Sequence, residues 1–488
     1  MTFAFADSPQ VPRAPGGKDV AFRAVALGRA YLLREARVRK ERDFLTPAAD
    51  ASRLLEEVAS PQNLARALLD VARNQGAPGV DGRSVKEVLE VAPQLLPRLQ
   101  RELLLGLYRP GDVRRVWIPK PGGGQRGLGI PNVVDRWAQE AVRRVLEPQF
   151  EPAFHPSSHG FRAHKGAPTA IAQAKGYLEE GYQVVVDLDL SKFFDRVHHQ
   201  RLMSRVGQRV KDARVLDLIW RFVKAAVVMP QGERVPTHEG TPQGGPLSPL
   251  LSNIVLDELD WELERRGLRF VRYADDVNVY VRSERSGRRV MDSIRRFLEG
   301  RMRLKVNEEK SRVAGPEELH FLGFCFKSNS QGRVEVHTSR RTKERLDAKI
   351  RDLTPRTWGQ SIRRCLGKVN RYLQGWSAYF RLCTEEELVL LERWDAHIRR
   401  RIRAILIRQK KRARFLYRHL RARGVDRSAA RSTAFNGRAI WQKSHTRGIE
   451  RAYPNAWFHE RMTSLVREWR RLHPVLRLVS GQQTLFAL

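Results

Sequence analysis

The tetrad Tyr273-Ala274-Asp275-Asp276 lies between two β-favouring runs, Phe270-Val271-Arg272 before it and Val277-Asn278-Val279-Tyr280-Val281 after it. That pattern predicts two short strands joined by an acidic turn. Adjacent carboxylates at a tight turn repel each other, which destabilises the turn unless a cation sits there. Taken alone, the tetrad also reads as an ordinary Asp-containing hairpin turn. A second segment changes the balance. Val184-Val185-Val186-Asp187-Leu188-Asp189-Leu190 is an apolar strand that runs into aspartates, with Asp195 following after Phe193-Phe194. A strand ending in Asp beside an Asp-Asp hairpin can offer oxygen ligands to two Mg²⁺ ions, which take few carboxylates and share the rest of their shell with substrate phosphates. Two such ions ~3.5–4 Å apart clamp the attacking and leaving oxygens of an in-line phosphoryl transfer.

The elements that must position these groups are legible around them. Strands are predicted at 114–119, 183–190, 270–281 and 320–326, with helical segments between, which is the alternation of an α+β domain. Gly76-Ala77-Pro78-Gly79-Val80-Asp81-Gly82 is a loop, and residues 19–74 read as amphipathic helices. From about Ser339 to 425 the pattern is all-helical and strongly basic, and 426–488 form a smaller appended stretch. Across 488 residues, 90 Lys and Arg stand against 54 Asp and Glu, a formal charge of +36. That excess argues against a small-metabolite enzyme and for a polyanionic partner, of which nucleic acid is the usual one. Length alone suggests about two to four domains. Cys325, Cys365 and Cys383 stand far apart, which argues against both a zinc site and a disulfide framework and suits a reducing cytoplasm. No apolar run approaches ~18 residues and no signal peptide is apparent, so no membrane association is expected.

With the acidic motifs in order, the chain resembles the palm of a reverse transcriptase. YADD at 273–276 and DLSKFFD at 189–195 resemble that family's carboxylate motifs. The run from Gly240 to Asn253 resembles its template-and-nucleotide motif, Leu304–Ser311 and Phe321–Phe324 its next two blocks, and Ile118-Pro119-Lys120 with Arg126–Pro131 its fingers. NQGAPGVDG at 74–82, PSSHGFRAHKGA at 156–167 and TPQGGPLSPLLSN at 241–253 are similar to bacterial group II intron-encoded reverse transcriptases. Arg371–Phe380 resembles their thumb-like maturase domain, and Ser444–Trp469 resembles members without an endonuclease domain. The likeness spans about residues 60–475; residues 1–50 match no named segment.

The resemblance implies a right-hand polymerase: an N-terminal extension (1–60), fingers (61–180), an α+β palm (181–335), a helical thumb or maturase domain (336–425) and a small basic DNA-binding-like unit (426–488). It implies RNA-directed DNA polymerisation, with Asp189, Asp275 and Asp276 as ligands of two Mg²⁺, the Leu190 carbonyl completing one shell, and Asp187 as the alternative strand carboxylate. Lys120, Arg126, Phe194, Gln243 and Lys310 are the expected nucleotide contacts. The Phe194 ring would exclude a ribose 2′-hydroxyl, and Lys310 would donate a proton or touch the triphosphate. His159, Arg162, Lys165, Phe321, Leu322, Gly323 and the helix carrying Arg399, Arg400, Arg401 and Arg403 are the expected nucleic-acid contacts. The implied partners are a group II intron RNA that the protein helps to splice and then copies during retrohoming, an RNA template, a DNA primer or target, and dNTPs. The implied location is the bacterial cytoplasm, with the nucleoid when target DNA is engaged. Two alternatives stand beside this reading: a host-domesticated reverse transcriptase serving defence, spacer acquisition or DNA repair, and a non-catalytic RNA-binding splicing cofactor.

Overall fold

The computed structural model describes residues 53–119, 123–355 and 357–473, and divides into two compact units after Ala314. In the first unit, strong local signals start the helices. Ser60 accepts a hydrogen bond from the Asn63 amide, and Pro61 opens the Pro61–Arg73 helix. Ser84 and Glu87 form a reciprocal capping box for Val85–Glu90. Leu64, Leu68 and Val71 recur at helical spacing and are buried. The Pro61–Arg73 helix packs on Val133–Phe150, where the Trp137 indole donates to the Leu64 carbonyl at 2.7 Å.

Two sheets complete this unit. β1 (Val113–Pro119) and β2 (Gln125–Ile130) form an antiparallel hairpin, extended by the short strands β4 (Val227–Val228) and β5 (Arg234–Val235) in the order β2-β1-β4-β5. The second sheet holds the acidic motifs. β3 (Val184–Asp189), β6 (Arg269–Tyr273), β7 (Asp276–Val281) and β8 (Arg312–Ala314) are all antiparallel, in the order β6-β7-β3-β8. Strand alternation sorts their side chains. Val184, Val186 and Leu188 of β3 join Val277, Val279 and Val281 of β7 in the apolar core. Asp187 and Asp189 therefore share the opposite face with their cross-strand partners Asn278 and Asp276.

The second unit starts from an antiparallel pair, β9 (Phe324–Ser328) and β10 (Val334–Thr338), and is otherwise helical. The sequence pattern predicts a strand over 320–326. The structure starts it at Phe324, because Leu322 (φ +52°) and Gly323 (φ +91°) are left-handed and form a turn instead. Ser339, Ser361, Asp426 and Ser464 each cap a helix with their side chains. Ile398, Ile402 and Ile405 of the Leu388–Arg408 helix share one core with Tyr453, Phe458 and Trp469. The buried Asp395 carboxylate ties that helix to the chain's later part, accepting from Ser464 Oγ at 2.6 Å and the Leu465 amide at 2.9 Å. No helix among the described residues is long and apolar enough to cross a membrane.

Trp137 is fully buried and hydrogen-bonded. Trp137→Ala should destabilise the first unit by about 3–5 kcal/mol, read as a lower midpoint in denaturant unfolding. A change below about 1 kcal/mol would contradict this packing.

Candidate active site

The β6–β7 hairpin closes on the pair Tyr273 and Asp276, leaving Ala274 and Asp275 as a two-residue turn. Ala274 adopts φ +58°, a left-handed conformation that costs a residue with a Cβ about 1–3 kcal/mol. Asp276 stands directly across from Asp189 on β3. Cross-strand side chains at such a pair lie within direct interaction range, and like charges there are unfavourable. Burial, first, and then the neighbouring Asp275 and Asp189 push the Asp276 carboxyl up to about 6. Burial likewise raises Asp275, with Asp189 adding to the effect and the Arg126 charge opposing it. The three carboxylates thus feel one another. Asp187 lies two residues further back, opposite Asn278.

A loop from a distant part of the chain fixes the Asp189 backbone. The Asp189 amide donates to Ser311 Oγ at 3.0 Å, and the Asn307 amide donates to the Asp189 carbonyl at 2.8 Å. The same loop brings Lys310 Nζ to 3.5 Å from Asp189 Oδ2. Leu190, buried, bridges to Val306.

Gln243 sits half-buried in a loop pressed against β2. A Cβ on Gly244 would lie 2.4 Å from the Gly129 carbonyl oxygen, so only glycine permits this approach. The Thr241 amide donates to the Phe194 carbonyl at 2.6 Å, which joins that loop to the DLSKFFD motif. Phe193 and Phe194 are both buried, edge to face with centroids 5.3 Å apart, so burial does not separate them. Arg126 is exposed on β2 opposite Ile118. Lys120 lies outside the described residues.

Several expected nucleic-acid contacts are used internally. The His159 ring is buried between Thr169 Oγ1 (2.8 Å) and Gln173 Oε1 (2.6 Å), and burial pushes its pKa down to about 4. Arg162 donates to Glu151 Oε1 at 2.9 Å and to the carbonyls of His155 (2.7 Å) and Ser158 (3.0 Å). Lys165 donates to the Pro156 carbonyl, and burial pushes it down to about 8. Their segment pairs with β6 through the Ser158–Arg272 bridge, so it braces the acidic hairpin.

Expected contacts in the second unit also have partners within the chain. Arg399, Arg400, Arg401 and Arg403 do not form one surface, because a helix turns ~100° per residue and spreads these positions around it. The Arg403 side chain is buried, donating through Nε and Nη2 to the Tyr453 carbonyl at 3.1 and 2.8 Å. Arg400 stacks 3.9 Å from the Trp441 ring centroid, Arg401 bonds Thr354 Oγ1 at 2.5 Å, and Arg399 is half-buried. Exposed cations lie further along, at Arg408, Lys411, Arg412 and Arg414. Phe321, Leu322 and Gly323 form the buried turn before β9, with Leu322 accepting from the Tyr379 hydroxyl at 3.0 Å.

Sequence reasoning missed Ser311, Gly160, Arg272 and Asp260, all within or behind the acidic hairpin and β3. Arg272 carried a signal: by alternation with Phe270 it occupies a core-facing position, where an arginine requires a buried partner. Arg403→Ala should lower the stability of the second unit by about 1.5–3 kcal/mol through the loss of charged hydrogen bonds. It should leave the salt dependence of RNA binding unchanged. A flattened salt slope with unchanged thermal stability would show that Arg403 faces RNA.

The comparisons with known proteins agree with this architecture. Residues 118–326 match the family described as reverse transcriptase (RNA-dependent DNA polymerase), and residues 343–424 match the group II intron, maturase-specific domain. Protein YkfC of Escherichia coli (strain K12) is 33% identical over 364 residues, covering 66% of this chain and 93% of YkfC. Group II intron-encoded protein LtrA of Lactococcus lactis subsp. cremoris is 27% identical over 345 residues, covering 56% of this chain and 57% of LtrA. A putative COX1/OXI3 intron 2 protein of Saccharomyces cerevisiae is 29% identical over 290 residues, covering 48% of this chain and 34% of its own length. Since one relative at this level of identity is matched over nearly its whole length, and both family matches fall on the acidic sheet and the basic helices, the chain belongs to the reverse transcriptases that carry a group II intron maturase-specific domain.

Proposed function

We propose that this reverse transcriptase polymerises DNA at Asp189, Asp275 and Asp276 with two Mg²⁺ ions, and that its RNA is a group II intron. In this reading it assists the intron's splicing and copies it during retrohoming. The observation that carries the site is the register: Asp189 faces Asp276 across β3 and β7, with Asp275 in the adjoining turn. All the donors are hard oxygens, which suits Mg²⁺. Among the described residues no three such side chains already converge on one point. Mg²⁺ makes no such demand, since one or two carboxylates and the substrate phosphates complete its shell. When bound, two ions there supply charge stabilisation for attack of a primer 3′-hydroxyl on an α-phosphate and for departure of pyrophosphate.

The chain's own residues do the rest. Asp189, Asp275 and Asp276 would hold the ions, and the Leu190 carbonyl would add one ligand. Lys310 donates a proton to the leaving pyrophosphate or neutralises the triphosphate, a role supported by its 3.5 Å approach to Asp189. Arg126, on β2, neutralises the triphosphate, and Lys120 shares that role. Gln243 approaches the nascent base pair from its glycine loop. Phe194 blocks a ribose 2′-hydroxyl. The maturase-specific match and the +36 charge support intron RNA as the partner. RNA is held largely by phosphate and shape contacts, and the exposure of Arg408, Lys411, Arg412 and Arg414 supports that role for them.

Asp275→Ala should reduce primer extension to below about 1% of the parent. Loss of one metal ligand removes several kcal/mol of transition-state stabilisation, and about 1.4 kcal/mol is tenfold in rate. RNA affinity in a filter-binding assay should be retained; extension above that level would refute the site. Sugar choice gives a separate check. Phe194→Ala should raise the kcat/KM for rNTP relative to dNTP by roughly 10- to 100-fold, whereas Phe193→Ala should only lower stability. The reverse outcome would mean that Phe193 is the ring beneath the sugar.

A further inference from the structure

Arg272 immediately precedes the Tyr273-Ala274-Asp275-Asp276 turn, and its side chain is completely buried. Its cross-strand partner is Val277, which belongs to the core, so the guanidinium lies on the face of the sheet away from the carboxylates. Nε and Nη2 hold Asp260, at 2.7 and 2.6 Å. Nη1 is shared between Asn253 Oδ1 and the Ala274 carbonyl, each at 2.9 Å. Asp260 and Asn253 are themselves buried, two turns apart on one face of the Ser248–Arg265 helix. Asn253 Nδ2 in turn donates to the Gly160 carbonyl at 2.9 Å. A Cβ on Gly160 would lie 2.3 Å from the Ala274 amide nitrogen. The left-handed turn is therefore held on one side by the guanidinium and on the other by Gly160. Asn253 bonds both, accepting from the guanidinium and donating to the Gly160 carbonyl.

A buried ion pair is seldom more stable than apolar residues of the same volume, because both charges lose their water. Stability is thus a poor reason for an arginine here. Its planar fork of donors is a better one: no other side chain can engage a carboxylate, an amide oxygen and a backbone carbonyl in one rigid geometry. We propose that Arg272, anchored by Asp260 and Asn253, is a positioning residue for polymerisation. It sets the conformation of the Ala274 turn and so the placement of Asp275 and Asp276 relative to Asp189. It touches no substrate. This inference rests on the reading that those carboxylates carry the polymerase reaction.

The test uses the full chain with two variants beside Asp275→Ala. Arg272→Lys keeps the charge opposite Asp260 but cannot reach all three partners in one plane. The paired change Arg272→Met with Asp260→Leu removes both buried charges together, so it folds without an unpaired ion. In both, primer-extension kcat should fall roughly 100-fold, as expected when reacting groups are displaced by about an ångström. Half-saturation should need several-fold more Mg²⁺, while KM for dNTP, RNA affinity and the thermal midpoint stay near the parent's. Those last readouts separate positioning from a general structural role. A paired variant with kcat and Mg²⁺ dependence within twofold of the parent overturns the proposal. So does a loss of kcat that merely follows an equal loss of RNA affinity and folded protein. If Asp275→Ala itself remains active, the polymerase assignment fails first; if it is inactive while the paired variant is not, only the positioning role fails.

Discussion

Three like charges gathered at one end of an antiparallel sheet are the constraint around which the first unit is organised. Asp189 and Asp276 face each other across neighbouring strands, and Asp275 lies in the next turn. Left to themselves they would separate, because directly opposed like charges weaken a sheet. The two strands that bear the first and third carboxylate also bring six aliphatic side chains to the core on the other face. Hydrophobic burial on one side holds an arrangement on the other that electrostatics resists.

Holding the strands is not enough, because the middle carboxylate is in a turn. Its first residue is left-handed with only a methyl side chain, so local preference does not keep it there. Restraint comes from the buried guanidinium behind the sheet and from the 157–160 segment alongside β6. That segment explains why His159 and Arg162 look functional in sequence yet spend their polar atoms internally. They stiffen a brace that runs directly beside β6. The loop around Gly244 is built on a related principle, in which the absence of a side chain lets two backbones meet.

Much of this is legible in the sequence. The Asp-bearing strand, the acidic hairpin and the basic helices follow from alternation, turn composition and helical period, because those patterns report local geometry. What remained hidden depends on tertiary contacts. Arg399, Arg400, Arg401 and Arg403 look like a charged surface as a string, yet the helix distributes them and the Tyr453 carbonyl takes one into the core. The 320–326 run reads as a strand by composition, but two consecutive left-handed residues turn it. Asp260 lies in an otherwise unremarked helix, and nothing local pairs it with an arginine twelve residues on.

The clamp on Asp189 has a consequence for the order in which the molecule comes into being. Its amide is bonded to a side chain 122 residues later in the chain. During synthesis at ~5–20 residues per second, that partner leaves the ribosome roughly 6–24 s after Asp189 does. For that interval the strand bearing Asp189 lacks both its neighbour β8 and the loop that sets its end. The nascent chain therefore passes through a stage in which its first helices can be packed while the end of β3 is not yet fixed. A ribosome-bound precursor of this length carries Asp189 without the two partners of its backbone, which arrive only with residues 307–311.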